Sequence, residues 1–317
     1  MTFVVKYSRW GGPSVLQLEE EDVRAPGIGE VLVKQDAIGV NFVDTMFRDG
    51  TFKVGLPAIA GVEGAGIVET VGEGVTRFVV GDRVAYFFVP GSYASSRVVK
   101  EEALVKLPAD VSTETAAAFL TKGLTAWMAM NAMAKPSGSD VVLVQGATGG
   151  VGNLIARWLR SRGVKVIGTG SRHKLAELEQ VVDHAFAYET VGLDEHIRAL
   201  APRGVDIAYE LVGAATFTST VGAIRDGGTI AMIGAASGSP VVVETELNQR
   251  GIRLVRGSTS QHVTQNNLQD AADKLFEAWR NGTLGIISAR KYPLSEAQQA
   301  HTDILERRHS GPIVLVP

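Results

Sequence analysis

Gly146, Gly149 and Gly152 recur three residues apart in VVLVQGATGGVG, residues 141–152, with Gly150 beside them. An apolar run precedes the glycines, and Val151, Leu154, Ile155, Trp158 and Leu159 come after them at helical spacing on one face. Glycine lets a backbone approach a ligand where a Cβ would hold it off. A helix start adds free N–H groups and a partial positive charge. Strand, tight turn and helix start in that order form a cradle for the pyrophosphate of a dinucleotide, with Gly149, Gly150 and Val151 as its contacts. The spacing is G-x-x-G-x-x-G rather than G-x-G-x-x-G, and a plain strand-to-helix turn needing small residues is the competing reading.

The choice of cofactor is written further on. In a site for NAD, an acidic residue about 20 positions downstream accepts the ribose hydroxyls. Here the second strand ends VIGTGSRHK, residues 166–174, with no acid in that stretch. Gly170, Ser171, Arg172 and Lys174 stand there instead, offering donors and positive charge to a 2′-phosphate. Charge-assisted hydrogen bonds contribute about 1.5–3 kcal/mol each. Two of them, discounted for solvent, favour NADPH over NADH by roughly 100-fold. Tyr188, at the end of the third strand, is placed to pack beside that phosphate. Ile233, Gly234, Ala235 and Ser237 lie at the end of the fifth strand and Arg256, Gly257 and Ser258 at the end of the sixth. The carboxyl edge is where open α/β sheets hold ligands, so these are candidate contacts for the nicotinamide end.

These residues need a parallel sheet to bring them together. Strands are predicted at 141–145, 164–168, 184–188, 205–211, 229–233 and 252–256, with helices at 151–159, 172–180, 194–200 and 214–225 between them. Alternation of this kind means an α/β, doubly wound Rossmann sheet. Before it the chain reads as β, at 30–40, 65–74, 82–88 and 95–100, with Gly and Pro at short intervals. After it come helices at 264–281 and 295–306, the second capped by Ser295 with Glu296 in its first turn, and a closing strand, IVLV, that returns to the first domain. The nucleotide domain is therefore placed at 118–258, between 1–117 and 259–317.

The 317 residues carry a net charge of −3 and 45% apolar residues, which fits two globular cores and argues against an electrostatically driven nucleic-acid binder. No cysteine is present, which removes disulfides and thiolate metal sites. No run approaches the ~20 apolar residues of a membrane span, and MTFVVKYSRW has no signal-peptide core. A soluble, cytoplasmic protein is expected. The six histidines, at 173, 184, 196, 262, 301 and 309, form no i, i+4 ligand pair and are read as structural or solvated.

GVNFVDTMFRDG (39–50), AGVEGAGIVETVGEGVTRFVVGDRVAY (60–86), AAAFLTKGLTAW (116–127), GATGGVG (146–152) and LERRHSGPIVLVP (305–317) together resemble the zinc-free quinone oxidoreductases. These are the zeta-crystallin-like branch of the medium-chain dehydrogenase/reductase superfamily. The resemblance covers essentially the whole chain. It implies a GroES-like, mostly-β catalytic domain beside the Rossmann domain, and a homodimer joined at the Rossmann sheet edge, with 252–257 as the interface strand. Positions that hold zinc ligands in metal-dependent relatives match Asn41, Val62 and Thr121, none of which supplies thiolate, imidazole or carboxylate. No metal site is expected.

Without a Lewis acid, the acceptor must take a hydride readily, as a quinone or an α,β-unsaturated carbonyl does. Asn41 is the candidate for orienting nicotinamide or substrate, with helix capping as its structural alternative. The resemblance places Thr125 at the nicotinamide end and brings Lys122 close to an anionic reduced oxygen. Met46 stands where relatives commonly have tyrosine. Met46, Phe52 and Tyr93 are candidates for an apolar acceptor slot, although core packing is the default for the two aromatics. The leading expectation is an NADPH-dependent quinone oxidoreductase. The alternatives are an NADPH-dependent reductase of activated C=C bonds, and a crystallin-like or RNA-binding relative with NADPH as ligand.

Overall fold

A computed structural model describes residues 1–306 and 311–317; His309 and its neighbours from 307 to 310 lie outside it. Backbone contacts divide the chain into two units. One comprises Lys122–Thr264 and Glu277–Gly285, the other Met1–Thr121, Gln265–Phe276 and Ile286–Pro317.

In the first of these, six parallel strands lie in the order His184–Ala187, Lys165–Gly170, Val141–Gln145, Val205–Glu210, Ile224–Met232 and Arg253–Arg256. Val142, Leu143, Val144, Val166, Ile167, Ala208, Ile230 and Ala231 are fully buried. Such unbroken apolar runs belong to strands covered on both faces, and they account for the expected doubly wound sheet. Helix Gly150–Ser161 buries Leu154, Ile155, Ala156, Trp158 and Leu159 against it. Each large apolar side chain of that face contributes about 1.5–3 kcal/mol on burial. The chain order reverses between Val141–Gln145 and Val205–Glu210, which opens a crevice at the carboxyl ends of these two strands.

The other unit holds two sheets among its described residues. Gln17–Glu21, Thr2–Tyr7 and Ala58–Ile59 form the smaller. The larger is organised by the long strand Glu30–Val40, which pairs antiparallel with Gly64–Val71, Ser96–Lys100 and the closing strand Ile313–Val316. The chain's end thus returns to the first domain, as its apolar IVLV implied. One core gathers Val5, Tyr7, Ile38, Val40, Leu294, Ala300 and Leu315, and a second gathers Val31, Val33, Val68, Phe78, Val84 and Leu104.

Three details differ from the sequence-based expectations. The division falls inside helix Thr113–Met128 rather than at 117/118, and 259–264 and 277–285 belong to the unit with the parallel sheet. The helix runs without a break through Thr121, Lys122 and Gly123, so no loop-like composition marks the division. The fifth strand begins at Ile224, because the preceding helix stops at Ala223 and Gly227, at φ 70°, carries the chain through an irregularity. Ser295 caps nothing. It lies inside a single 3-10 turn, Leu294–Glu296, and Glu296 occupies the cap position of helix Ala297–Leu305.

Candidate functional site

The turn after Val141–Gln145 is shaped by its glycines in different ways. Gly146 sits at φ 76°, where a side chain strains the backbone. A Cβ on Gly152 would lie 2.3 Å from the Gly146 carbonyl oxygen, so the helix can come this close to the turn only without one. Gly149 is the N-cap of helix Gly150–Ser161, and both Gly149 and Gly150 are exposed. The first-turn N–H groups of any helix lack intrahelical partners. Here they start beyond the carboxyl edge of the sheet, an arrangement suited to a phosphate. Val151 is half-buried beside them.

Lys165–Gly170 ends next to this turn, with the Ala147 N–H donating to the Thr169 carbonyl at 2.8 Å. Ser171 is buried and precedes a 3-10 turn, Arg172–Lys174, in which Arg172 is exposed and Lys174 half-buried. The Tyr188 N–H donates to the Gly170 carbonyl at 3.0 Å, so Gly170, Ser171 and Tyr188 occupy one corner. That corner presents a hydroxyl, a guanidinium and an ammonium, and no carboxylate among the expected contacts.

Along the same edge, the N–H groups of Ile233 and Gly234 donate to the Glu210 carbonyl, and Ala235 accepts from the Gly238 N–H. Ser237 is tied down. Its hydroxyl donates to the Val212 carbonyl at 2.8 Å and accepts the Ala215 N–H at 3.0 Å, so it clamps two loops together. Ser258 caps helix Thr259–His262, with its N–H on Gln261 Oε1 at 2.9 Å, and Gly257 and Arg256 precede it. The Thr125 hydroxyl lies 2.9 Å from that of Thr259. The Lys122 stem runs over Gly150, where a Cβ would meet its Cδ at 3.0 Å. Lys122 therefore stands at the glycine turn, a placement the sequence reading did not anticipate.

Sequence reasoning also missed a set of wholly or almost wholly buried polar residues behind this edge: Gln145, Thr169, Glu210, Thr216 and Thr220. Glu210 Oε1 accepts the N–H groups of Val212 and Gly213 and the Thr216 hydroxyl, and Oε2 accepts the Thr220 hydroxyl at 2.7 Å. The one available signal was an acidic residue closing an otherwise apolar strand, VDIAYE.

In the other unit, Asn41 is the N-cap of helix Phe42–Asp49, and its N–H donates to Asp44 Oδ2 at 2.8 Å. Its side-chain Nδ2 donates at 2.8 Å to the fully buried Glu63, whose second oxygen accepts the Thr121 N–H at 2.6 Å. The capping role and a buried amide contact therefore coexist at Asn41. Met46 is half-buried and Phe52 exposed, joined by the Phe52 N–H on the Met46 carbonyl at 2.9 Å. Tyr93 cannot line an acceptor slot. It is fully buried in the core, its hydroxyl is 3.2 Å from Asp44 Oδ2 and 2.8 Å from His301 Nε2, and burial, then Asp44, pushes its pKa well up. His301 is held at about 3, by burial first and Arg48 second. Arg48 can only donate to His301 Nδ1, at 3.0 Å, so the neutral ring carries its proton on Nε2, towards Tyr93.

Two family models match the chain: an alcohol dehydrogenase GroES-like domain over residues 27–109 and a zinc-binding dehydrogenase domain over 150–277. A quinone oxidoreductase from Pseudomonas aeruginosa is 36% identical over 99% of both chains. A 2-haloacrylate reductase from a Burkholderia species is 36% identical over 97% of this chain and 96% of its own. Among solved structures, the Escherichia coli quinone oxidoreductase complexed with NADPH superposes with a TM-score of 0.95, at 32% identity and with full coverage of both chains.

Proposed function

Because the chain belongs to the quinone oxidoreductase family of the medium-chain dehydrogenase/reductase superfamily, we propose that it transfers a hydride from NADPH to a quinone. The observation that carries this reading is the corner of Gly170, Ser171, Arg172, Lys174 and Tyr188 beside the glycine turn. It offers donors and cations where an NAD site offers a carboxylate. Gly149, Gly150 and Val151 take the pyrophosphate, with the Lys122 ammonium nearby. Ile233, Gly234, Ala235, Ser237, Arg256, Gly257, Ser258 and Thr125 frame the nicotinamide end, Ser237 through the loops that it clamps.

When bound, the cofactor supplies the hydride; the protein binds, orients and excludes water. Asn41, Val62 and Thr121 hold none of the side-chain types that bind zinc, and both Glu63 oxygens already accept N–H groups. The acceptor must then be reactive without polarisation by a metal. Met46 and Phe52 are its proposed apolar contacts, and Asn41 its polar one.

The 36% identity to a 2-haloacrylate reductase favours a second reading, reduction of an activated C=C bond. One kinetic comparison tests both. NADPH consumption is measured with benzo- and naphthoquinones and, separately, with enones and haloacrylates. Turnover of the quinones supports the first reading and turnover of the alkenes alone the second. In the Arg172→Ala/Lys174→Ala variant, KM for NADPH should rise by roughly 100-fold and KM for NADH should stay put. Equal change for both cofactors would remove the 2′-phosphate assignment. We further propose a cytoplasmic homodimer joined at Arg253–Arg256, which is supported by the position of this strand at the sheet edge. Among the described residues no helix is long and apolar enough to cross a membrane.

A further inference from the structure

The buried polar residues behind the carboxyl edge form one directed chain. The Gly146 N–H donates to Thr169 Oγ1 at 3.3 Å, and the Thr169 hydroxyl donates to Gln145 Oε1. Gln145 Nε2 donates to Thr220 Oγ1 at 2.9 Å, and the Thr220 hydroxyl donates to Glu210 Oε2 at 2.7 Å. Every link points the same way. The Thr220 hydroxyl faces two acceptors, Glu210 Oε2 at 2.7 Å and the Thr216 carbonyl at 3.0 Å, so it donates on that side; this leaves the Thr220 oxygen to accept, which orients the Gln145 amide, and so on back to Gly146. Hydrogen bonds aligned head to tail in a dry interior reinforce one another.

The two ends of the chain lie on loops at the carboxyl edge of the sheet. Gly146 opens the glycine turn. At the other end, Glu210 Oε1 holds the N–H groups of Val212 and Gly213, each at 2.9 Å, and Ser237 clamps Val212 to the loop after the fifth strand. One buried charge therefore sets the phosphate turn and the 211–215 and 233–238 segments together.

We propose that Glu210 is a positioning residue of the cofactor site. It acts through Thr220, Gln145 and Thr169 on the Gly146 turn, and directly on the 211–213 turn, to hold both in the geometry that receives the dinucleotide. The proposal rests on the reading that this unit binds NADPH. A carboxylate matches this position because its four side-chain and backbone partners all donate to it. In Glu210→Gln one amide N–H faces another donor.

The test uses the full chain and NADPH, titrated by cofactor fluorescence, alongside kcat at saturating NADPH. Thr169→Val removes the acceptor of the Gly146 N–H and breaks the chain without adding volume; Thr169→Ser keeps both hydrogen bonds. Expected Kd values rise about tenfold for Thr169→Val and at least as much for Glu210→Gln, with Thr169→Ser near wild type and kcat little changed. A purely structural role would lower the melting temperature and leave this split between Kd and kcat unmoved. Wild-type Kd in folded Thr169→Val, or equal losses in Thr169→Val and Thr169→Ser, overturns the proposal. Failure of the wild type to bind NADPH overturns the cofactor reading itself, and this inference with it.

Discussion

A single side chain can show how burial sets chemistry. His301 is fully buried between Arg48 and Tyr93, and its pKa lies at about 3 against an ordinary value of 6.5. The unfolded chain therefore takes up this proton first. Stability from the neutral ring is complete above pH 6.5 and declines as the pH falls from there towards 3. Between pH 6.5 and 5 the loss is about 2 kcal/mol from this residue. Urea unfolding at stepped pH should show that slope, and the His301 ring resonances in the folded protein should not titrate above pH 5. A ring that titrates near 6.5 would contradict the assignment. Tyr93 belongs to the same cluster, and its partner His301 lies 208 positions away in sequence. That separation is why the sequence could offer Tyr93 as a pocket residue and the fold places it in the core.

Elements were legible wherever their signals are local. Apolar runs, all but His184–Ala187 flanked by Gly, located the six parallel strands, and the spacing of Leu154, Ile155, Trp158 and Leu159 located the helix after the glycine turn. The end of the second strand at Gly170, just before Ser171, Arg172 and Lys174, was legible for the same reason. The Glu210 chain was not, because its links join residues 10, 75 and 24 positions apart and come together only across three strands and a helix. Within the turn, Gly152 carries a sharp requirement. Gly152→Ala sets a Cβ 2.3 Å from the Gly146 oxygen and 2.9 Å from its carbon, both backbone atoms that a rotamer change cannot move. The expected cost is about 1–3 kcal/mol in chemical denaturation, with weakened NADPH binding. Gly138→Ala, where nothing lies within 4 Å, is the control and should change neither. Equal behaviour of the two variants would remove the packing argument.

At the scale of the whole molecule, the order of the six strands leaves Arg253–Arg256 with a neighbour on one side only. An unpaired strand edge invites another chain, and pairing with a second copy satisfies it. Light scattering should give twice the mass of one chain at micromolar concentration. Val255→Asp, which puts a charge on this half-buried edge position, should shift the population towards single chains. A wild type with the mass of one chain would end the dimer proposal. In the sequence, this strand's place at the edge rested on family resemblance alone, since an edge is a property of the assembled sheet and no residue type announces it.

The glycine turn carries two kinds of amide proton. That of Gly146 points inward to Thr169, and that of Gly149 closes back on the Gly146 carbonyl at 2.9 Å. Those of the first helical turn face the edge where phosphate is proposed to sit. In heavy water the hydrogen-bonded protons of Gly146 and Gly149 exchange only when their own bonds open, whether or not cofactor is present. The outward ones are shielded only while a ligand covers them. The turn thus carries its own internal reference: the difference in deuterium uptake between its beginning and its end reports how fully the site is occupied.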